Sequence, residues 1–197
     1  MPPPLSPRRR RRRPVIESRP PSATGSEAVP GIRLDPVTPA DLPLLGSWLR
    51  LSHVRRWWDA PEEQLARIGE RIGSPLISQQ IASYCGQPFG YVQHYRLMDW
   101  PGGTGGLPEG TRGIDLLIGP SCRLGRGLGS GLLRALSAKL FAEGVPALAG
   151  DPDRANIAAV RAFRRAGFRD YAAGSNMPPL MVLIANPTPD ENDERQA

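Results

Sequence analysis

The stretch from Leu117 to Gly129, LIGPSCRLGRGLG, leads from an apolar segment through a turn rich in glycine and arginine into an amphipathic helix. Glycines at 125, 127 and 129 let the backbone come close to an anion. The first turn of the helix adds N–H groups without intrahelical partners and the positive end of the helix dipole. A pyrophosphate is the natural guest of such a turn; the glycines alone fit equally a tight strand-to-helix connection that binds nothing. The cradle comprises Leu124, Gly125, Arg126, Gly127, Leu128, Gly129 and Ser130. It is not a Walker loop, because the Gly-Lys-Ser/Thr ending is missing, and no acidic residue after the next strand is placed for a dinucleotide ribose. Just upstream, Asp115 interrupts the apolar run Ile114-Asp115-Leu116-Leu117-Ile118. A carboxylate buried there requires a partner, either a cationic amine or backbone N–H groups.

The elements that must hold these residues follow from periodicity and punctuation. GIRLDPV, from Gly31, alternates as a short strand, and Thr38-Pro39-Ala40-Asp41 opens a helix through Leu42, Leu45 and Leu49 with Pro43 in its first turn. Residues 62–72 form a second helix with Leu65, Ile68 and Ile72 on one face. Residues 76–84 and 89–97 read as a hairpin through Gly86-Gln87-Pro88, and 99–111 as a Gly/Pro-rich loop. Beyond it the chain alternates: strand 112–118, helix 127–141 with the stripe Leu128, Leu132, Leu133, Leu136, Leu140, strand 145–150, helix 156–166 stopped by Gly167, and strands near 168–172 and 179–185. The order β-α-α-β-β-β-α-β-α-β-β is a mixed α/β sheet with helices on both faces.

The chain has 197 residues, enough for one domain with an appended segment. No window approaches 18 consecutive apolar residues, so no transmembrane helix is expected. Two cysteines, Cys85 and Cys122, 37 residues apart and without metal-like spacing, support neither a disulfide framework nor a zinc site. The formal net charge of +6 is unevenly spread. Residues 1–30 hold seven of the 25 basic residues and two of the 19 acidic ones, a balance of +5, and the remainder stands at +1. Any affinity for nucleic acid or anionic lipid would therefore reside in this Pro/Arg-rich tail, which is too polar to order itself and reads either as a solvated extension or as an electrostatic attachment. The expected boundaries are a tail over 1–30, a domain over 31–186 and a polar end over 187–197. Reduced cytoplasm is the expected compartment.

With the cradle and the element order in place, the chain resembles the Gcn5-related N-acetyltransferases (GNAT), which bind acetyl-CoA by its pyrophosphate. DPDRANIAAVRAFRRAGF looks like that family's second motif, carried by Asn156, Phe163, Arg165, Gly167 and Phe168. Within the family, HVRRWW (53–58), GQPFGYVQHY (86–95), RGIDLL (112–117), LGRGLG (124–129) and GDPDRAN (150–156) are similar to the aminoglycoside 6′-N-acetyltransferases. Siderophore-lysine acyltransferases share the LLIGP run but typically carry His where this chain has Asp115, and a non-catalytic acyl-CoA-binding module is the alternative from a different class.

The resemblance implies a site. Acetyl transfer from a thioester needs a neutral amine, a stabilised oxyanion and a proton for the thiolate. Asp115 is the candidate catalytic group for the first, and the backbone N–H of Leu116 or Leu117 for the second, with Ile118, Asn156 and Phe163 completing the acetyl-CoA contacts. The family often places Tyr seven residues after the motif Asn to protonate the thiolate; here that position is Phe163, which leaves water or slow turnover. Leu124 stands where many relatives have Gln or Arg, and backbone N–H groups can replace that contact. Cys122 is read as packing rather than as a nucleophile. A polycationic acceptor, an aminoglycoside or similar amino sugar, calls for acidic and aromatic groups: Trp58, Asp99, Trp100, Asp115 and Asp151, with Trp57 and Asp153 serving equally well as a core residue and a helix cap. No metal is implied, and the chain is expected to act as a monomer or homodimer.

Overall fold

The computed structural model describes residues 31–99, 105–172 and 179–185. Its strands are β1 (Ile32–Pro36), β2 (Ile77–Tyr84), β3 (Gln87–Arg96), β4 (Arg112–Ile118), β5 (Ala147–Gly150), β6 (Arg169–Tyr171) and β7 (Leu180–Ile184). They form one sheet in the order β1-β2-β3-β4-β5-β7-β6. All neighbours are antiparallel except β4 and β5. The helices are α1 (Leu42–Leu49), α2 (Ser52–Arg55), α3 (Pro61–Glu70), α4 (Leu128–Ala142) and α5 (Ile157–Arg165). The one-turn helix α2 is an addition to the expected order. It is too short to show a hydrophobic period of its own, and it is held by Val54, which is buried among α1 and α3 side chains.

Local chemistry explains where these elements start. Asp41 Oδ2 accepts from both the backbone N and the hydroxyl of Thr38 at 2.8 Å, closing the turn that leads into α1. Asn156 caps α5, its Oδ1 accepting from Ala159 N at 3.1 Å. Asp153, the other candidate for that cap, instead accepts from Ala155 N in the preceding turn.

Side chains alternate across the sheet, and each face has its own core. On one face Ala82, Val92, Ile114, Leu148 and Met181 pack under α4 and α5, with Leu132, Leu133, Leu136 and Leu140 of the expected stripe buried. Each such leucine stabilises the fold by about 1.5–3 kcal/mol. His94 is buried on this face as well. Burial first, then the charges of Arg112 and Lys139, depress its imidazole to about 4, with Glu143 opposing. On the opposite face Ile81, Tyr91 and Leu117 pack against Leu45, Trp48, Leu49 and Ile68 of α1 and α3. Farther along that same face a separate cluster joins Ile77, Tyr95, Leu97 and Leu107 to Ala147, Ala149, Leu180 and Val182.

Candidate active site

The parallel pair β4 and β5 part soon after they meet. β4 pairs with β3 along its whole length, from Arg96↔Arg112 to Gly90↔Ile118, but with β5 only at Arg112↔Leu148 and Gly113↔Ala149. Gly119 N donates to Phe89 O at 2.9 Å, which sets the phase of the antiparallel ladder. Residues 113, 115 and 117 therefore turn their N–H groups to β3, and 116 and 118 turn theirs to the β5 side, beyond β5's last partner. Of the two oxyanion candidates, the N–H of Leu116 faces this opening and that of Leu117 belongs to the β3 ladder. Phe163 covers the end of β5 on the face under α4 and α5. A Cβ on Gly150 would stand 2.4 Å from the Phe163 ring, which is 4% exposed and packs edge-on against Phe168 at 4.9 Å. Phe163, expected among the cofactor contacts, is thus a core residue filling the space between β5 and α5. On the far side, His53 of α2 donates from Nε2 to Ile118 O at 3.1 Å and ties that helix to the end of β4.

The glycine turn lies directly after β4. Ser121–Arg123 form a single 3-10 turn, Leu124 is extended and exposed, and Gly125 and Gly127 have φ of 71° and 77°. Left-handed backbone at these positions favours residues without a Cβ, and at both an added Cβ would meet nothing within 4 Å. The cradle is therefore open outward. The first intrahelical bond of α4 runs from Gly131 N to Gly127 O at 2.9 Å, so the N–H groups of Leu128, Gly129 and Ser130 point out of the helix end. Ser130 contributes only its backbone there, since its hydroxyl donates back to Gly127 O. The Leu128 side chain goes to the core, and exposed Arg126 stands in the turn as a mobile-length cation beside these donors. Asn156, with its oxygen committed to the α5 cap, retains its amide N–H groups as donors. Cys122, expected to be packing, is exposed, because the 3-10 turn carries it over the surface.

Asp115 sits between the two apolar clusters of the α1–α3 face. Gln93 Nε2 donates to its Oδ2 at 2.9 Å, Tyr91 donates its hydroxyl to Gln93 Oε1 at 2.8 Å, and Gln79 Nε2 donates to the Tyr91 oxygen at 3.0 Å. Burial raises the Tyr91 phenol above its ordinary range, and the charge of Asp115 acts the same way, against Gln79 and Arg71. The guanidinium of Arg71, just past α3, is itself lowered by burial and lies within electrostatic reach of Tyr91 and Asp115. Trp58 is half-buried in the apolar cluster under α1 and α3, its ring nearly perpendicular to that of Tyr91 with centroids 6.1 Å apart. Trp57 carries the Arg56 guanidinium 5.1 Å above its ring. Asp99 lies in the turn after β3, beside Arg96, where the ladder has passed three pairs beyond Gln93↔Asp115. Asp151 follows β5 at the parting of the strands. Trp100 lies outside the described residues. Gln79, Tyr91, Gln93 and Arg71 were missed by sequence reasoning, although Gln79 and Gln93 break apolar strands just as Asp115 does.

A sheet that opens between two parallel strands, with a glycine turn and a helix start at the mouth, is the architecture of acyl-CoA-dependent acetyltransferases. Residues 37–175 match the family described as "Acetyltransferase (GNAT) domain"; the chain belongs to this family and is an N-acetyltransferase. The aminoglycoside N(6′)-acetyltransferase type 1 of Klebsiella pneumoniae is 36% identical over 144 residues, covering 67% of this chain and 71% of the relative. A kanamycin resistance protein of Rhizobium radiobacter is 42% identical over 60 residues, 30% of this chain and 56% of its own length. Among solved structures, the aminoglycoside acetyltransferase AAC(6′)-Ib in complex with coenzyme A and kanamycin superposes with a TM-score of 0.67 at 30% identity, covering 78% of this chain and 94% of that one.

Proposed function

We propose that the chain transfers an acetyl group from acetyl-CoA to a primary amine of a cationic small molecule, with the 6′-amine of an aminoglycoside as the acceptor. The observation that carries this reading is the placement of Asp115 on the strand whose far end leads into the open glycine cradle, in a chain so similar to aminoglycoside 6′-acetyltransferases. The cradle fits the proposed co-substrate. Two glycines leave room for phosphate oxygens, the N–H groups of Leu128, Gly129 and Ser130 face outward, and Arg126 adds a cation. When bound, acetyl-CoA supplies an activated acyl group and a thiol leaving group.

The chain's own residues then have three tasks. Asp115 pairs with the incoming ammonium and takes its proton, so that the nitrogen attacks as a neutral amine. The N–H of Leu116, turned into the strand opening, donates to the carbonyl oxygen as charge develops on it. The thiolate takes its proton from water, since Phe163 has none to give and is buried. Trp58, Asp99 and Asp151 complete an acidic and aromatic surround for a polycation. The cytoplasm, where acetyl-CoA is made and used, is the matching compartment.

A turnover screen with acetyl-CoA and a panel of amines, following release of free thiol, tests the reading. Aminoglycosides bearing a 6′-amine should be acetylated, and analogues bearing a 6′-hydroxyl should not. Turnover of simple polyamines or hydroxylysine-type amines in preference to every aminoglycoside would overturn the acceptor assignment.

A further inference from the structure

Gln79, Gln93 and Asp115 stand directly opposite one another on three adjacent strands, as the register pairs Gln79↔Gln93 and Gln93↔Asp115 show. The row crosses the α1–α3 face of the sheet between two apolar clusters. Gln79 and Gln93 are 6% and 7% exposed, and Tyr91 is fully buried. Polar side chains in such a place carry a desolvation cost unless bonded, and apart from Gln79 Oε1, which is buried without a partner, they bond one another in a single direction.

That direction follows from the carboxylate. An ionised Asp115 only accepts, so the Gln93 amide must turn its NH2 to Oδ2, at 2.9 Å. Its oxygen then faces Tyr91 and accepts the hydroxyl proton at 2.8 Å, which leaves the phenol oxygen to accept from Gln79 at 3.0 Å. Every dipole in the chain points its positive end toward Asp115. The bond from Gln93 to Oδ2 fixes one oxygen and thereby the plane of the carboxylate.

We infer that Gln93 is a positioning residue for Asp115, held in its donating orientation by the Tyr91 hydroxyl and, behind it, by Gln79. This rests on the reading of Asp115 as the group that receives the acceptor's proton. Without the Tyr91 hydroxyl, the Gln93 amide loses the bond that prevents it from flipping its oxygen toward the carboxylate. A residue that never touches the acceptor thus sets the basicity and aim of the one that does. The titratable groups coupled to Asp115 include Tyr91, from β3, and Arg71, from the end of α3. Burial keeps the phenol protonated, and the guanidinium stays charged throughout the range in which a carboxylate titrates.

The experiment uses Gln93→Met and Tyr91→Phe in the full chain, each alone and combined with Asp115→Asn, with melting curves to establish folding. Tyr91→Phe keeps the buried ring and serves if Gln93→Met does not fold. Each single variant should lower kcat/KM for the amine acceptor by about tenfold, the scale of one hydrogen bond to a charged group. The acidic limb of its pH profile should move to higher pH, and acetyl-CoA affinity should stay at the parent value. In the Asp115→Asn background neither change should lower the rate further. If Asp115→Asn is slow but the Gln93 and Tyr91 variants keep the parent's pH profile, or slow both backgrounds equally, the inference fails and the role of Asp115 stands. If Asp115→Asn turns over normally, that role falls and the inference with it.

Discussion

Gly127 offers the sharpest separation between fold and cofactor affinity. It is the residue before α4, at φ 77°, and a Cβ added there would meet no atom within 4 Å. Gly127→Ala therefore introduces no clash, only the cost of a left-handed residue, about 1–2 kcal/mol of stability. Gly127→Asp carries the same backbone cost and adds a carboxylate among the outward N–H groups of Leu128, Gly129 and Ser130. At 4 Å, a carboxylate and one phosphate charge repel by about 1 kcal/mol in bulk water and about 4 kcal/mol near a protein surface. A central value of about 3 kcal/mol corresponds to roughly a hundredfold weaker binding. Calorimetric titration of acetyl-CoA into parent, Gly127→Ala and Gly127→Asp, with melting curves for each, separates the two terms. Gly127→Ala should bind within a few-fold of the parent. Gly127→Asp should be folded and about a hundredfold weaker, with part of the loss recovered at high salt through screening. A folded Gly127→Asp protein with unchanged acetyl-CoA affinity would refute the cradle.

Asp115→Asn should lower turnover by about a hundredfold or more, the scale of a lost general base, with the residual rate rising with pH as more of the amine is neutral; stopped thiol-release assays across pH check this, and a parent-like profile makes Asp115 structural. His94 is held neutral in the folded protein, at about 4 against an ordinary value near 6.5, so the unfolded chain binds the extra proton and stability falls as pH drops from 6.5 toward 4. Between pH 7.5 and pH 5 this group should remove about 2 kcal/mol, measured as the difference between parent and His94→Gln in urea unfolding at both pH values; equal losses in the two proteins would contradict it. Deleting residues 1–30, which takes away +5 of charge, should leave melting and turnover unchanged and abolish any binding to DNA or anionic vesicles. Loss of turnover in the truncated protein would place the tail in the working structure.

Several features of this protein were legible in the order of its residues because they depend on near neighbours. The glycine turn is one: a left-handed residue before a helix and free N–H groups in its first turn are properties of a few consecutive residues, and Gly125 and Gly127 adopt that backbone. The α4 stripe and the bounds of β4 are others, since a period of 3.6 or 2 is written along the chain itself. What lay beyond that reach depended on pairing between distant segments. The parting of β4 from β5, which turns Leu116 N–H toward an opening, is a matter of where two segments distant in sequence stop pairing. Phe163 became a core residue and Cys122 a surface one because burial depends on what distant segments pack against each position. The row Gln79, Gln93, Asp115 is the clearest case. Each residue looks like an isolated polar interruption of its own strand, and only the register of three strands brings them into line, because register is set by the packing of whole faces rather than by any local preference.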